Sequence, residues 1–233
     1  MFPRGSGPLL AVFANCKDPA REEEFNRWYD TVHVPDVVRT PGIVDSQRYT
    51  CVYPRFGKMQ YIAAYTLDTS DFHKMDADLG AMRQAEADRG QWSTLLSAPV
   101  NAVFAPLGKR QSNAAAEKSK PIAMLVVVSN CADPAREAEF HRWYDTVHLP
   151  HVLQVRGMLS AQRYKCVHQR FGQSGFMAVY DLATDDFQRL DQDLKRGVEQ
   201  EKARGERPVP DLNSVVVSGF YKPLGGTQRR PAG

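Results

Sequence analysis

Long hydrophobic runs are missing from this chain of 233 residues. The longest, around Ile122–Val128, falls far short of the roughly 20 residues that a membrane helix needs, so no membrane partner is expected. The opening stretch MFPRGSGPLL lacks the apolar core of about 7–15 residues that a secretory leader carries, and the expected location is cytoplasmic. Cysteine is scarce. The four, Cys16, Cys51, Cys131 and Cys166, make no C-x-x-C pair, which argues against a disulfide scaffold or a zinc-ligand spacing and reads as buried, reduced thiols. No sign of charge dominates either: 30 Lys and Arg are interspersed with 27 Asp and Glu, for a formal net charge of +3. A nucleic-acid binder usually shows a basic stripe with interleaved aromatics; none is present, and Arg229 and Arg230 read as a solvated tail. The glycines do not fall in dinucleotide-binding or phosphate-loop spacing, so no nucleotide cofactor is expected.

What the chain does have is itself, twice. The 43-residue stretch from Asn15 returns at Asn130 with about 27 identical positions, an offset of 115 residues. The cysteines obey the same offset, as Cys16/Cys131 and Cys51/Cys166. The polar, small-residue stretch 108–120 has linker composition, so the expected organisation is a repeat over 1–107, a linker over 108–120 and a second repeat over 121–233. In each repeat a short apolar strand (Leu9–Ala14, Ile122–Ser129) leads to Asp-Pro, an N-cap followed by proline at the first helical position. The helix is expected to run to His33 or His148, where Pro35 or Pro150 ends it. Strands at 43–53 and 59–67, a helix at 71–89 and a strand at 100–106 follow, with counterparts in the second repeat. The order is β-α-β-β-α-β, a ferredoxin-like α+β unit with both helices on one sheet face. The other face needs a cover, and the second copy supplies it if the two sheets pair within one chain as a barrel.

Phe25, Trp28, Tyr29, Val32 and His33 share one face of the first helix, and Phe140, Trp143, Tyr144, Val147 and His148 repeat them. Tyr29 and His33 therefore stack one turn apart on the face toward the sheet. At a helix C-terminus the dipole would favour a protonated imidazole, and an imidazole beside a phenol can move protons near neutral pH. The plainer reading is structural: Trp28, Phe25 and Val32 pack, Tyr29 bonds a carbonyl and His33 caps the helix.

The motif F-x-x-W-Y-x-x-x-H-x-P, followed by Pro41-Gly42 and Tyr49, resembles the EthD-like family of the dimeric α+β barrel superfamily. The resemblance covers both repeats, most clearly 19–53 and 134–168. It implies a tandem-duplicated, fused barrel with a pocket in each half, and His33 and His148 as the residues matching the family histidine. The superfamily includes polyketide cyclases, muconolactone isomerases, decarboxylases, haem-using enzymes and quinol monooxygenases. On that analogy the expected activity is a lyase or isomerase/cyclase without cofactor. His33 and His148 would act as acid or base, with Tyr29 and Tyr144 as hydrogen-bond donors. The substrate would be a small, largely apolar aromatic or polyketide-like metabolite, since the wall offers Trp, Phe and Tyr rather than an arginine cluster. Candidate substrate-binding residues are Trp28, Asp36, Tyr49, Trp143, His151 and Tyr164. The alternatives are a non-catalytic binding protein and a haem- or oxygen-dependent monooxygenase of the same fold.

The copies diverge at Asn26/His141, Asp36/His151 and Tyr53/His168, which suggests one active and one degenerate pocket. Asp36 is the carboxylate expected to orient His33. His148-x-x-His151 with Asp145 invites a metal, but lacks a clear third and fourth ligand, so no metal is expected. Alternation along the strand puts Gln47, Tyr49, Cys51 and Tyr53 on one face, with Gln162, Tyr164, Cys166 and His168 as their counterparts; spacing alone leaves open whether that face lines the pocket or the barrel interior. Beyond the pseudo-dimer within the chain, a homodimer is a further possibility.

Overall fold

The structure is a computed structural model and describes residues 7–231. Residues 1–6, part of the stretch read for a leader, lie outside the described residues. Each repeat contributes four strands: β1 (Leu9–Cys16), β2 (Ile43–Phe56), β3 (Tyr61–Leu67) and β4 (Leu96–Ser112), then β5 (Ala123–Cys131), β6 (Met158–Phe171), β7 (Phe176–Leu182) and β8 (Asn213–Arg229). They close into one barrel in the order β1-β3-β2-β8-β5-β7-β6-β4, with β2 paired to β8 and β4 to β6 across the two repeats. The expected α+β fold of two ferredoxin-like units joined within one chain is the observed one. Closure leaves no sheet edge exposed, which is what a lone repeat could not achieve.

The barrel interior is filled by Leu9, Ala11, Phe13, Val126, Val179 and their neighbours, with Tyr49, Tyr164 and Tyr221 among them. The outer face of each half is covered by its helices: α1 (Glu22–Trp28), α2 (Val34–Arg39) and α3 (Phe72–Asp88) in the first, α4 (Glu137–Trp143), α5 (Leu149–Gln154) and α6 (Phe187–Ala203) in the second. Strand β4 continues to Ser112, pairing with β6 into the polar stretch 108–120.

Three local expectations change. First, Pro35 does not end the helix. Tyr29–His33 form a π turn in which the Val34 N–H donates to the Tyr29 carbonyl, and the helix continues through Pro35 to Arg39. The wider turn absorbs the missing proline N–H. Tyr144–His148 repeat it before Pro150. His33 is therefore mid-helix, and the helix-end argument for its charge falls. Second, β2 bulges against β8 between Cys51 and Tyr53, and β6 against β4 near His168. The extra residue breaks the alternation: Tyr49 and Cys51 face the barrel interior, whereas Tyr53 packs under α6 of the other half. Third, Arg229 lies in β8, and Arg230 is no free tail, because its guanidinium donates to the Val38 and Thr40 carbonyls.

Candidate active site

The first half holds a half-open cavity of about 230 Å³ between its helices and the outer face of its sheet. It is lined by Tyr29, His33 and Val37 from the first helix, Leu10, Val12 and Tyr65 from the sheet, and Trp92 beyond α3. The lining also includes Arg83 of α3, Asn101 of β4, and Arg170 and Phe171, which the second repeat sends across on the end of β6.

His33 is buried and held on three sides. Its ring stacks on Trp28 at 4.8 Å and meets Tyr29 and Trp92 edge-on at 5.0 and 5.8 Å. Its Nδ1 lies 3.1 and 3.2 Å from the two carboxylate oxygens of Glu86, whose side chain is fully buried. A carboxylate at Nδ1 keeps the proton there, so Nε2 of the neutral ring is left as the acceptor. Tyr29 sits over the buried guanidinium of Arg48, 4.2 Å from its ring centre, and its hydroxyl interacts with Tyr65. Burial pushes the Tyr29 phenol above its ordinary range, against the opposing pull of Arg48 and Tyr65, so at neutral pH it is a donor. Arg48 is itself fixed by Asp30 and Asn26, each at 2.7 Å.

The second half has the same dyad and a different surrounding. His148 Nδ1 lies 3.0 Å from Glu201, and Tyr144 bonds Tyr180 at 3.0 Å. But Arg207, at the repeat position of Trp92, places a guanidinium 4.6 Å over Trp143 and 3.2 Å from Glu201. His151 adds a third cation-capable group at 3.5 Å. Burial alone would raise the Glu201 carboxyl, but His148, Arg207 and His151 together pull it below its ordinary value. Phe220 stands where the first half has Val103, stacked on Phe187 at 5.2 Å and against Tyr53 at 5.7 Å. A phenyl ring replaces an isopropyl group there.

Of the sequence candidates, the structure brings Tyr29 and His33 together at the cavity. Trp28 backs His33 and donates from Nε1 to the Gln91 carbonyl. Trp143 plays the same backing part for His148. Tyr49 and Tyr164 are on the barrel-interior side of the sheet, away from the cavity, because the pleat turns them from the helices. Asp36 does not orient His33; it pairs with Arg39 and Arg89 at the helix surface. His151 lies in an outer groove between α5 and α6. No group of three or more His, Cys, Asp or Glu suited to a metal occurs among the described residues.

The residues the sequence reading missed are Glu86, Arg83 and Arg170. Glu86 was visible in principle. It lies seven residues beyond Leu79, on the same α3 stripe as Phe72, Met75 and Leu79, and Glu201 repeats it at the offset of 115. A carboxylate on a buried stripe signals a buried partner. Arg170 was not visible, because only barrel closure carries it into the other half.

No family model matches the chain, and no curated protein matches it. Among solved structures it is similar to an anthrone oxidase-like protein, at 12% identity and TM-score 0.59 over 97% of this chain and 94% of that one. It is also similar to a mutant chlorite dismutase from Candidatus Nitrospira defluvii, at 9% identity and TM-score 0.56 over 96% and 92%. A third is a variant of Rhodococcus jostii RHA1 DypB in complex with heme, at 9% identity and TM-score 0.53 over 95% and 93%. At these identities the likeness is one of fold, the dimeric α+β barrel.

Proposed function

We propose that the first-half cavity is the active site of a small-molecule enzyme, with His33 as general base. The observation that carries this reading is the buried His33–Glu86 pair opening onto a half-open, mostly apolar hollow. Nε2 of His33 takes a proton from an acidic C–H or O–H of the substrate, and the electron pair moves onto the conjugated oxygen. Tyr29 donates a hydrogen bond to that oxygen. The outcome is a lyase or isomerase/cyclase reaction that needs no bound cofactor, on a ring-bearing substrate that packs on Trp92, Leu10, Val12 and Leu79. A cavity of about 230 Å³ lies below the ~300–1,000 Å³ of drug-sized sites, so the substrate is compact. The EthD-like resemblance of the helix motif agrees with this reading.

The anthrone oxidase-like neighbour motivates a second outcome of the same first step, in which dioxygen takes up the carbanion. Oxygen uptake separates the two. Haem, present in the DypB neighbour, does not fit here. His33 Nε2 is a nitrogen of the kind that ligates haem iron, but a hollow too small for a drug-sized molecule does not admit the macrocycle.

The test is deuterium incorporation from heavy water into phenolic and ketonic carbon acids, followed by proton NMR. His33→Gln lowers the exchange rate by about 10²–10⁴-fold, while His148→Gln leaves it within about twofold. Exchange that survives in the His33→Gln/His148→Gln double variant sinks the base assignment. Binding without any exchange in the native protein would make it a binding protein.

A further inference from the structure

We infer that the substrate of this cavity carries a carboxylate, anchored by Arg83 of the cavity wall. The inference deepens the reading above and rests on it. The two halves act as an internal control. Arg170 and its repeat counterpart Arg55 each cross to the other half and meet an aspartate at the same place: Arg170 faces Asp76 at 2.5 Å, and Arg55 faces Asp191 at 2.6 Å. That pair is present in both halves, so it staples the halves together. Arg83 is different. Its counterpart at the offset of 115 is Val198, so this guanidinium occurs only in the first half, where it lines the hollow.

Arg83 is half-buried, lines the cavity, and makes no ion pair or hydrogen bond among the described residues. Its neighbour Arg170 is buried, with a side chain 8% exposed, and shares the single carboxylate of Asp76 with His168 at 2.8 Å. Burial holds the Arg170 guanidinium below its ordinary pKa, and the charge of Arg83 adds to that. Arg83 and Arg170 both line the hollow, but the Asp76 carboxylate faces Arg170 and His168, and Arg83 is left without a carboxylate of its own among the described residues. Asn101 supplies a further polar side chain to the lining, and its Oδ1 accepts from Arg170 at 3.3 Å. A planar carboxylate matches a guanidinium fork.

The position also sets the reach. Arg83 and Glu86 are three residues apart on α3, so their Cα atoms are about 4.5 Å apart along the helix axis. The anchored carboxylate therefore lies about one helical turn from the His33–Glu86 pair. The acidic position of the substrate is a few bonds from its carboxylate, on the ring or chain that fills the apolar part. This amends the expectation of a wall without arginines.

The test is titration calorimetry of the full chain with benzoate, phenylacetate and 1-naphthoate, each beside its uncharged primary amide. The acid of the tightest pair binds about tenfold or more tighter than its amide. Arg83→Val, which installs the residue of the other half, closes that gap, and Arg83→Lys keeps part of it. Arg196→Val, at the surface of α6, leaves the gap as it was. Equal binding of acid and amide, a gap that persists in Arg83→Val, or no binding of any acid at millimolar concentration overturns the proposal. The same titration in His33→Gln separates the two ideas: an acid preference retained there, with deuterium exchange never seen in any protein, rejects the base and keeps the anchor.

Discussion

At the scale of single residues, the difference between the halves is electrostatic before it is steric. Glu86 has His33 as its partner, whereas Glu201 is shared among His148, His151 and Arg207. A carboxylate serving one imidazole orients it; one already neutralised by a guanidinium orients it less. Glu86→Gln places an amide against Nδ1, where its N–H₂ can donate and drive the ring proton to Nε2. The expected result is a loss of exchange on the order of 10²–10⁴-fold with the fold retained, checked by NMR rates and circular dichroism. A second residue-scale prediction concerns His141. Its Nδ1 accepts from Arg163 at 2.8 Å, as the Asn26 amide oxygen accepts from Arg48. Burial, and then the Arg163 charge, lower its pKa below the ordinary 6.5. The folded chain thus holds this proton less tightly than the unfolded one. Its contribution to stability is full above about pH 6.5 and is lost as the pH falls through the lowered value. His141→Asn, which copies the first half, makes urea stability less sensitive to acidification over that window; an unchanged slope refutes the assignment.

At the scale of elements, the two π turns and the two bulges do the positioning. The π turn lets one helix pass a proline and still present Tyr29 and His33 to the same hollow. The bulge in β6 turns His168 and Arg170 outward under α3, where Asp76 holds both. Gly172 ends that excursion at a φ of +75°, and a Cβ there would stand 2.5 Å from the Pro99 carbonyl oxygen. Gly172→Ala combines an unfavourable backbone region with a clash, and should cost about 1–3 kcal/mol or more in chemical denaturation. It also shifts Phe171 and Arg170 and weakens ligand binding in the cavity. The helices and strands themselves were legible, because Asp-Pro starts, apolar periodicity and the repeat offset are local signals. The π turns were not. Pro35 carries a local preference for a helix stop, and only packing of Val34, Val37 and Val38 against the sheet overrides it. The bulges were equally hidden, since a sequence that alternates gives no sign of where pairing with a distant strand slips by one.

At the scale of the whole molecule, the barrel is a single object made by both repeats. β2 and β4 find their outer partners only in β8 and β6, and the interior cluster draws on both sheets. A first repeat expressed alone over 1–112 keeps two unpaired edges and an uncovered apolar sheet face. It should be dimeric or aggregated in sedimentation velocity; a folded, soluble monomer contradicts this. No helix among the described residues is long and apolar enough to cross a membrane. Duplication within one chain also frees the halves to differ. A symmetric pair of identical subunits would carry Arg83 and Trp92 in both copies or in neither, whereas here the second half has Val198 and Arg207 at those positions.

By itself the sequence determined that there are two copies of one α+β unit, that their helices carry an imidazole a turn from a phenol, and that the copies had diverged. These follow from periodicity and self-similarity, which are properties of neighbours along the chain. Only the tertiary structure decided that a cavity opens beside His33, that Glu86 rather than Asp36 orients His33, that Tyr49 and Tyr164 belong to the barrel interior, and that Arg170 enters the site of the other repeat. Each of these depends on contacts between residues far apart in sequence, and on volumes that exist only once the barrel has closed.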